Sequence, residues 1–276
     1  MKTTELISIP NDVKVGDVCG NITPNISEST IFTVNGEIIG FFLKRVPDNL
    51  EKLIDVANAE FLTDRVPKDT MNRGPVGSNY YKKKQEEKGI KRVSQYSTIL
   101  GSCAPKPHMR LPYPRMSMVH QEKTARTFVK AMLMACTEAE NVIKEIAPEL
   151  YKKQLSIITE KVPPKWRFGK LFTSSISNFN IAASYHRDAG NLEGCANVII
   201  TKRKNAKGGN LNVPDYGVTM DSCNNSMLVY PAWRNVHGVT PILPIEEGGY
   251  RNSLIFYPLK AFNNYWDVSA NLPQQQ

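Results

Sequence analysis

The second half of the chain breaks into short apolar runs, and that spacing limits what it can fold into. The runs are residues 180–186 (NIAASYH), 196–201 (ANVIIT), 210–213 (NLNV), 226–230 (SMLVY) and 252–257 (NSLIFY), with turn-forming residues between them. Each is long enough for a strand and too short for a helix, so antiparallel strands forming a sandwich or barrel are expected. The preceding part has a different period. Residues 36–43 (GEIIGFFL) predict one strand. Leu50, Leu53, Ile54 and Val56 then recur at helical intervals after a proline, which predicts a helix over 50–62. A longer helix is expected over 122–147, with Phe128, Met132, Ala135, Cys136, Val142 and Ile146 on one broad face and Pro148 as its stop. A third helical piece covers 149–158. The expectation is an α+β chain, helices first and a β-rich half after them.

Length and composition narrow the class further. At 276 residues, with 41% hydrophobic and 22% charged residues, the chain has enough apolar material for a sizeable core. That balance excludes global disorder, and no apolar run is long enough to span a bilayer. The first residues lead into no apolar core of signal-peptide length. Cys19, Cys103, Cys136, Cys195 and Cys223 are scattered, odd in number and form no C-x-x-C pair. Neither a disulfide framework nor a structural zinc site is expected, and a reducing, cytoplasmic compartment is the simpler reading.

The net charge is +9, which favours a polyanionic partner. It is concentrated in three places: residues 82–92, residues 161–170 (KVPPKWRFGK) and residues 202–207. The first lies in a polar, lysine-rich loop over 67–95. Trp166, Phe168, Tyr80 and Tyr81 fall in basic stretches and are candidates for stacking on bases, with core or loop anchoring as the competing reading. The clusters suit a phosphate-lined surface; three solvated loops would look the same in sequence.

Only four histidines are present, and two stand in informative places. If 186–188 is extended, His186 and Asp188 point to the same face. His237 follows beyond a further strand candidate. Two histidines and a carboxylate form the facial triad of non-haem iron(II) oxygenases, which leaves one side of the metal open. A hydrogen-bonded histidine on a strand is the plainer alternative. Downstream, Arg251 and Ser253 also share one strand face. An arginine fork plus a hydroxyl can hold a carboxylate, as a dicarboxylic cosubstrate such as 2-oxoglutarate requires; a surface salt bridge is the alternative for Arg251.

The order His-x-Asp, a Gly-Gly-x-Leu hairpin (Gly208-Gly209-Asn210-Leu211), a distal histidine and Arg-x-Ser resembles the 2-oxoglutarate/Fe(II)-dependent dioxygenase superfamily. Within it, His186-Arg187-Asp188-Ala189-Gly190-Asn191 is similar to the His-x-Asp-x-x-Asn signature of the TET/JBP group, whose members oxidise 5-methylpyrimidines in DNA. The likeness covers about residues 95–262 and is greatest to the short bacteriophage-encoded members. It implies a double-stranded β-helix (jelly roll) core with flanking N-terminal helices, over 96–276, preceded by an extension over 1–95 that carries the basic loop. It also implies His186, Asp188 and His237 as ligands of Fe(II), and Arg251 and Ser253 as the 2-oxoglutarate site. Asn191 would contact the target base, and Asn180 is a further pocket candidate by face parity with His186. Fe(II), 2-oxoglutarate and O2 are the implied cofactors and DNA the implied partner, in a bacterial host cytoplasm if the chain is phage-encoded. The reaction implied is hydroxylation of 5-methylcytosine, or alternatively of thymine or of a non-DNA substrate. One departure is visible. The usual Gly-Asp turn before the penultimate strand reads Asn224-Asn225-Ser226 here, a turn asparagine can support because it tolerates positive φ.

Overall fold

The computed structural model describes residues 1–70 and 94–266. Three helices form close to where the apolar spacing puts them. Helix α1 (Asp48–Phe61) buries Leu50, Ile54, Ala57 and Phe61, a three-and-four spacing that lines one stripe. Helix α2 (Arg126–Ile146) buries Phe128, Met132, Ala135, Cys136, Ala139, Val142 and Ile143. It begins later than residue 122 because residues 118–121 make a separate turn, capped by the Ser117 hydroxyl accepting from the His120 N–H at 3.1 Å. Helix α3 (Pro148–Lys161) starts on a proline, whose missing N–H costs nothing at a first helical position.

The strands run in chain order as β1 (Lys2–Glu5), β2 (Thr30–Val34), β3 (Glu37–Leu43), β4 (Asp69–Thr70), β5 (Tyr96–Cys103), β6 (Arg115–Met116), β7 (Ser174–Phe179) and β8 (Ala183–His186). They continue as β9 (Asn197–Lys204), β10 (Ala206–Gly208), β11 (Leu211–Val213), β12 (Val218–Met220), β13 (Ser226–Tyr230), β14 (His237–Val239), β15 (Ile242–Pro244) and β16 (Tyr250–Tyr257). A large sheet has the order β1-β2-β3-β13-β9-β16-β7-β5-β4, with β6 on β5; a small sheet has the order β12-β11-β14-β8. β10 and β15 pair separately. The two main sheets face each other as an α+β jelly roll. The stretch expected to be an extension, 1–95, contributes β1 to β4 and α1 to this one architecture. β1 is too short and too polar to be read from the sequence, whereas β2 carries an apolar, β-branched run (TIFTV) that was not anticipated.

The large sheet has two different faces. Phe41, Leu43, Val198, Ile200, Met227, Val229, Leu254 and Phe256 pack against α1, α2 and α3 in the main core. By transfer alone, each large buried apolar side chain contributes roughly 1.5–3 kcal/mol. On the opposite face, Phe32, Phe42, Leu228 and Tyr230 meet Leu211, Val213, Val218 and Met220 of the small sheet and close one end of the roll. The other end stays open. Period-two alternation sends Ile199, Ser253, Ile255 and Tyr257 into a cavity of about 880 Å³ between the sheets.

Two left-handed asparagines set where strands begin and end. Asn225 adopts φ +63° ahead of β13, so the asparagine turn forms in the left-handed conformation expected of it. Asn180 adopts φ +56°, which ends the extended run there. The strand expected from residue 180 therefore starts at Ala183, and face parity with His186 does not carry back to Asn180.

Candidate active site

β8 and β14 are neighbours in the small sheet, and His186 stands directly opposite His237 in the register. Asp188 follows in the turn after β8, pinned by its N–H donating to the Ala232 carbonyl at 3.1 Å. One ligand atom from each of the three residues lies within 4.8 Å of the others. The imidazole centroids are 4.4 Å apart, and His186 Nε2 is 3.5 Å from Asp188 Oδ1. Each ring leans its Nδ1 on a carbonyl two residues earlier: His186 on Ser184 at 2.8 Å and His237 on Asn235 at 3.1 Å. A carbonyl only accepts, so Nδ1 carries the hydrogen and Nε2 keeps its lone pair for a metal.

The electrostatics favour the ligand forms. Burial pushes the His237 pKa down, and the neighbouring His186 pushes the same way, so the ring is neutral near pH 7. For Asp188, burial works to raise the pKa. When the rings are protonated, a hydrogen bond from His186 and the charges of both histidines, together with an amide from Asn197, outweigh it and hold the carboxyl below its ordinary value.

Arg251 and Ser253 project from β16 into the same cavity. Arg251 is buried, its Nη1 donating to Ser253 Oγ at 3.1 Å, and its Nε has no partner. No acidic side chain pairs with it among the described residues. Burial, reinforced by Arg203, pushes its pKa down to about 10, so it stays cationic at neutral pH. A buried cation without a counter-ion is costly and suits an anionic ligand. Gly209 makes room for it, and Gly208 lets the chain pass close to the Pro241 carbonyl. A Cβ at Gly209 would lie 3.0 Å from Arg251 Cδ, and one at Gly208 would collide with the Pro241 carbonyl. Both glycines have positive φ.

The remaining expected residues fall in various places. Asn191 is buried in the cavity wall, its Nδ2 donating to Asn197 Oδ1 at 2.8 Å and more distantly, at 3.5 Å, to Asp188 Oδ2. Asn180 stands beside the cavity, not in its wall. Its Oδ1 accepts from the Arg251 N–H at 2.9 Å and its Nδ2 donates to the Ser94 carbonyl at 3.2 Å, so it fixes the start of β16. Trp166 and Phe168 are buried and stacked on Phe262 and Phe256 respectively, so the anchoring reading holds for both. Lys202 points inward to Asp55 and Asn225, and Arg203 pairs with Asp221 at 3.5 Å, so half of that basic cluster serves the fold. The cluster at 82–92, with Tyr80 and Tyr81, lies outside the described residues. Asn197 and Asn178, both in the cavity wall, carry no motif and were not anticipated.

A jelly roll that gathers two imidazoles and a carboxylate at its open end, beside a buried uncompensated arginine, is the framework of a 2-oxoglutarate- and Fe(II)-dependent dioxygenase. Residues 107–260 match the Tet_JBP model, the oxygenase domain of the 2OGFeDO superfamily, and the chain belongs to that family. No curated protein matches it in sequence. Among solved structures, NgTET1 in complex with 5mC DNA is similar at 11% identity, with 95% of this chain and 84% of that chain covered and a TM-score of 0.57. A putative 2OG-Fe(II) oxygenase family protein from Caulobacter crescentus is similar at 11% identity, with 82% and 85% covered and a TM-score of 0.45. An oxidoreductase of the 2OG-Fe(II) oxygenase family from Burkholderia pseudomallei follows at 12% identity, with 82% and 87% covered and a TM-score of 0.43. At 11% identity the likeness to NgTET1 is one of fold. The enzyme uses Fe(II), 2-oxoglutarate and O2. Its own residues fit them: two neutral nitrogens and one carboxylate oxygen suit Fe(II), and the orphaned guanidinium suits a dicarboxylate. No described helix is long and apolar enough to cross a membrane.

Proposed function

We propose that this dioxygenase hydroxylates the 5-methyl group of 5-methylcytosine in DNA. His186, Asp188 and His237 hold the iron, Arg251 and Ser253 hold the distal carboxylate of 2-oxoglutarate, and Asn191 meets the base. When bound, iron and 2-oxoglutarate supply the oxidising chemistry: O2 is consumed, 2-oxoglutarate becomes succinate and CO2, and a methyl C–H becomes C–OH. The protein's part is geometry. Nδ1-anchored imidazoles keep both Nε2 atoms aimed at one point, the Arg251 fork orients the cosubstrate, and the apolar walls at Ile199, Ile255 and Leu211 exclude water. A methyl group inside a duplex cannot reach this depth, so the nucleotide is flipped out, at a cost of a few kcal/mol offset by phosphate contacts. The exposed Arg187 on the cavity wall is available for one.

The observation that favours cytosine is the polarity of Asn191. Its amide hydrogens face Asn197 and Asp188, and its Oδ1 has no partner among the described residues. Reversing the amide would set its oxygen against the Asp188 carboxylate. The group it offers a base is therefore an acceptor, which matches the 4-amino group of cytosine where thymine carries a carbonyl. The test is nucleoside mass spectrometry after incubation with duplexes that carry 5-methylcytosine, thymine or plain cytosine as the only candidate. Hydroxymethylcytosine from the methylated duplex alone is expected, with activity falling steeply as salt is added. Oxidation of thymine in preference would overturn the polarity argument. Cosubstrate decarboxylation without any base product would remove DNA as the substrate.

A further inference from the structure

Two of the three proposed ligand side chains lean on backbone carbonyls, and the Asp188 carboxylate does not. Asp188 is steadied by a chain of amides. Asn197 Nδ2 donates to Asp188 Oδ2 at 3.0 Å, while Asp188 Oδ1 faces His186. The Asn197 Oδ1 in turn accepts from Asn191 Nδ2 at 2.8 Å. Both asparagines are buried, so water does not compete for the bond between them, and the bond to Asp188 is part-buried.

We infer that Asn197 is a positioning residue for the iron site: it commits Oδ2 of Asp188 and leaves Oδ1 as the single oxygen offered to the metal. This rests on the reading of Asp188 as a ligand. A carboxylate can rotate and present either or both oxygens; the short Asn197 bond to Oδ2, with the distant Asn191 contact beside it, removes that freedom. The polarity of the chain is also fixed, because turning the Asn197 amide over would put its oxygen against a carboxylate oxygen at one end and its nitrogen against the Asn191 nitrogen at the other.

The scaffold holds Asn197 for this task. It is the first residue of β9, paired with Tyr230 of β13. The residue before it is clamped from α3: buried Gln154 donates to the Ala196 carbonyl at 3.2 Å and accepts from the Ala196 N–H at 2.8 Å. Asn191 is held by its N–H donating to the Asp188 carbonyl at 2.9 Å and by a bridge to Leu259. A consequence is that the residue proposed to read the base reaches the iron ligand both through Asn197 and by its own distant 3.5 Å contact to Oδ2, so occupancy of the base pocket and the setting of the carboxylate are linked.

The test needs neither DNA nor turnover. Anaerobic apo-protein is titrated with Co(II) as a spectroscopic stand-in for Fe(II), and affinity and visible absorption are read for the wild type, Asn197→Ala, Asn197→Leu and Asp188→Ala. Asn197→Leu keeps the bulk and removes the donor, and serves if the alanine variant leaves a damaging void. Both are expected to bind Co(II) about 10–100-fold more weakly, with a changed absorption band and a metal-free unfolding midpoint close to that of the wild type. Wild-type affinity and spectrum in Asn197→Leu, with binding lost in Asp188→Ala, would overturn the positioning role alone. Wild-type binding in Asp188→Ala would remove the ligand reading itself, and the inference with it.

Discussion

The two faces of strands β9 and β16 were built for different ends. On the helix side, Val198, Ile200, Leu254 and Phe256 are buried among aromatic and aliphatic neighbours. On the cavity side of the same strands stand Asn197, Arg251, Ser253 and Tyr257, polar groups that line the cavity. Arg251 Nε is left without a partner there. One residue along the chain separates a group that stabilises the fold from a group the fold must tolerate. Stability and chemistry are divided by strand parity here, so substitutions at adjacent positions should have effects of opposite kinds.

The largest effect on stability is expected at Phe256. It is fully buried and packs on Phe168 and Phe172 at centroid distances of 6.0 and 5.9 Å. Phe256→Ala removes a ring from a close-packed core and should cost about 3–5 kcal/mol. Denaturant unfolding would measure it. The surviving folded fraction should still bind 2-oxoglutarate with near wild-type affinity. A variant that unfolds no more easily than the wild type would break the division between the faces.

Arg251→Met should do the reverse. Losing a charge-assisted contact worth about 1.5–3 kcal/mol should raise the 2-oxoglutarate concentration needed for half-saturation at least tenfold. Stability of the free protein should stay level or rise, since the variant removes a buried cation that has no counter-ion. Cosubstrate titration and thermal unfolding on one preparation give both readings. An unchanged titration would move the cosubstrate site elsewhere.

How much of this division is visible in the sequence depends on the residue. That His186, Asp188, His237, Arg251 and Ser253 meet in one cavity is legible because few residue types can do such chemistry and two-residue spacing pairs His186 with Asp188 and Arg251 with Ser253. The helices are legible within a few residues because their apolar stripes repeat. Asn197 is not, because a buried asparagine has meaning only through its partners, and Asp188 and Asn191 reach it across a turn. Asn180 misleads because a single left-handed residue resets the parity count. The basic clusters mislead in part for a similar reason: Lys202 lies on the helix-facing side of β9 and turns inward to Asp55. Charge in sequence does not say which face it occupies.

The smallest effect tests whether a charged group can sit on the stability side without joining the chemistry. Glu140, buried on α2, accepts from the N–H groups of Lys170 and Leu171 at 2.6 and 2.8 Å and so closes the turn at Gly169. Burial raises its pKa, and those backbone hydrogen bonds only partly oppose the rise. The sign follows from proton counting. As pH climbs past the ordinary glutamate value near 4.5, the unfolded chain releases this proton before the folded one does, so Glu140 withdraws stability over that interval and up to its folded pKa. Glutamine cannot titrate, and its carbonyl oxygen can still accept from both N–H groups. Glu140→Gln should therefore match the wild type at pH 4 and exceed it at pH 7 by about 1 kcal/mol or less. Unfolding midpoints at the two pH values would show the gap opening as pH rises. Cosubstrate affinity should not move at either pH, because the whole thickness of the large sheet lies between this carboxyl and Arg251. A gap that closes with rising pH would mean that the two backbone hydrogen bonds outweigh burial and that the carboxylate holds the turn in its charged form.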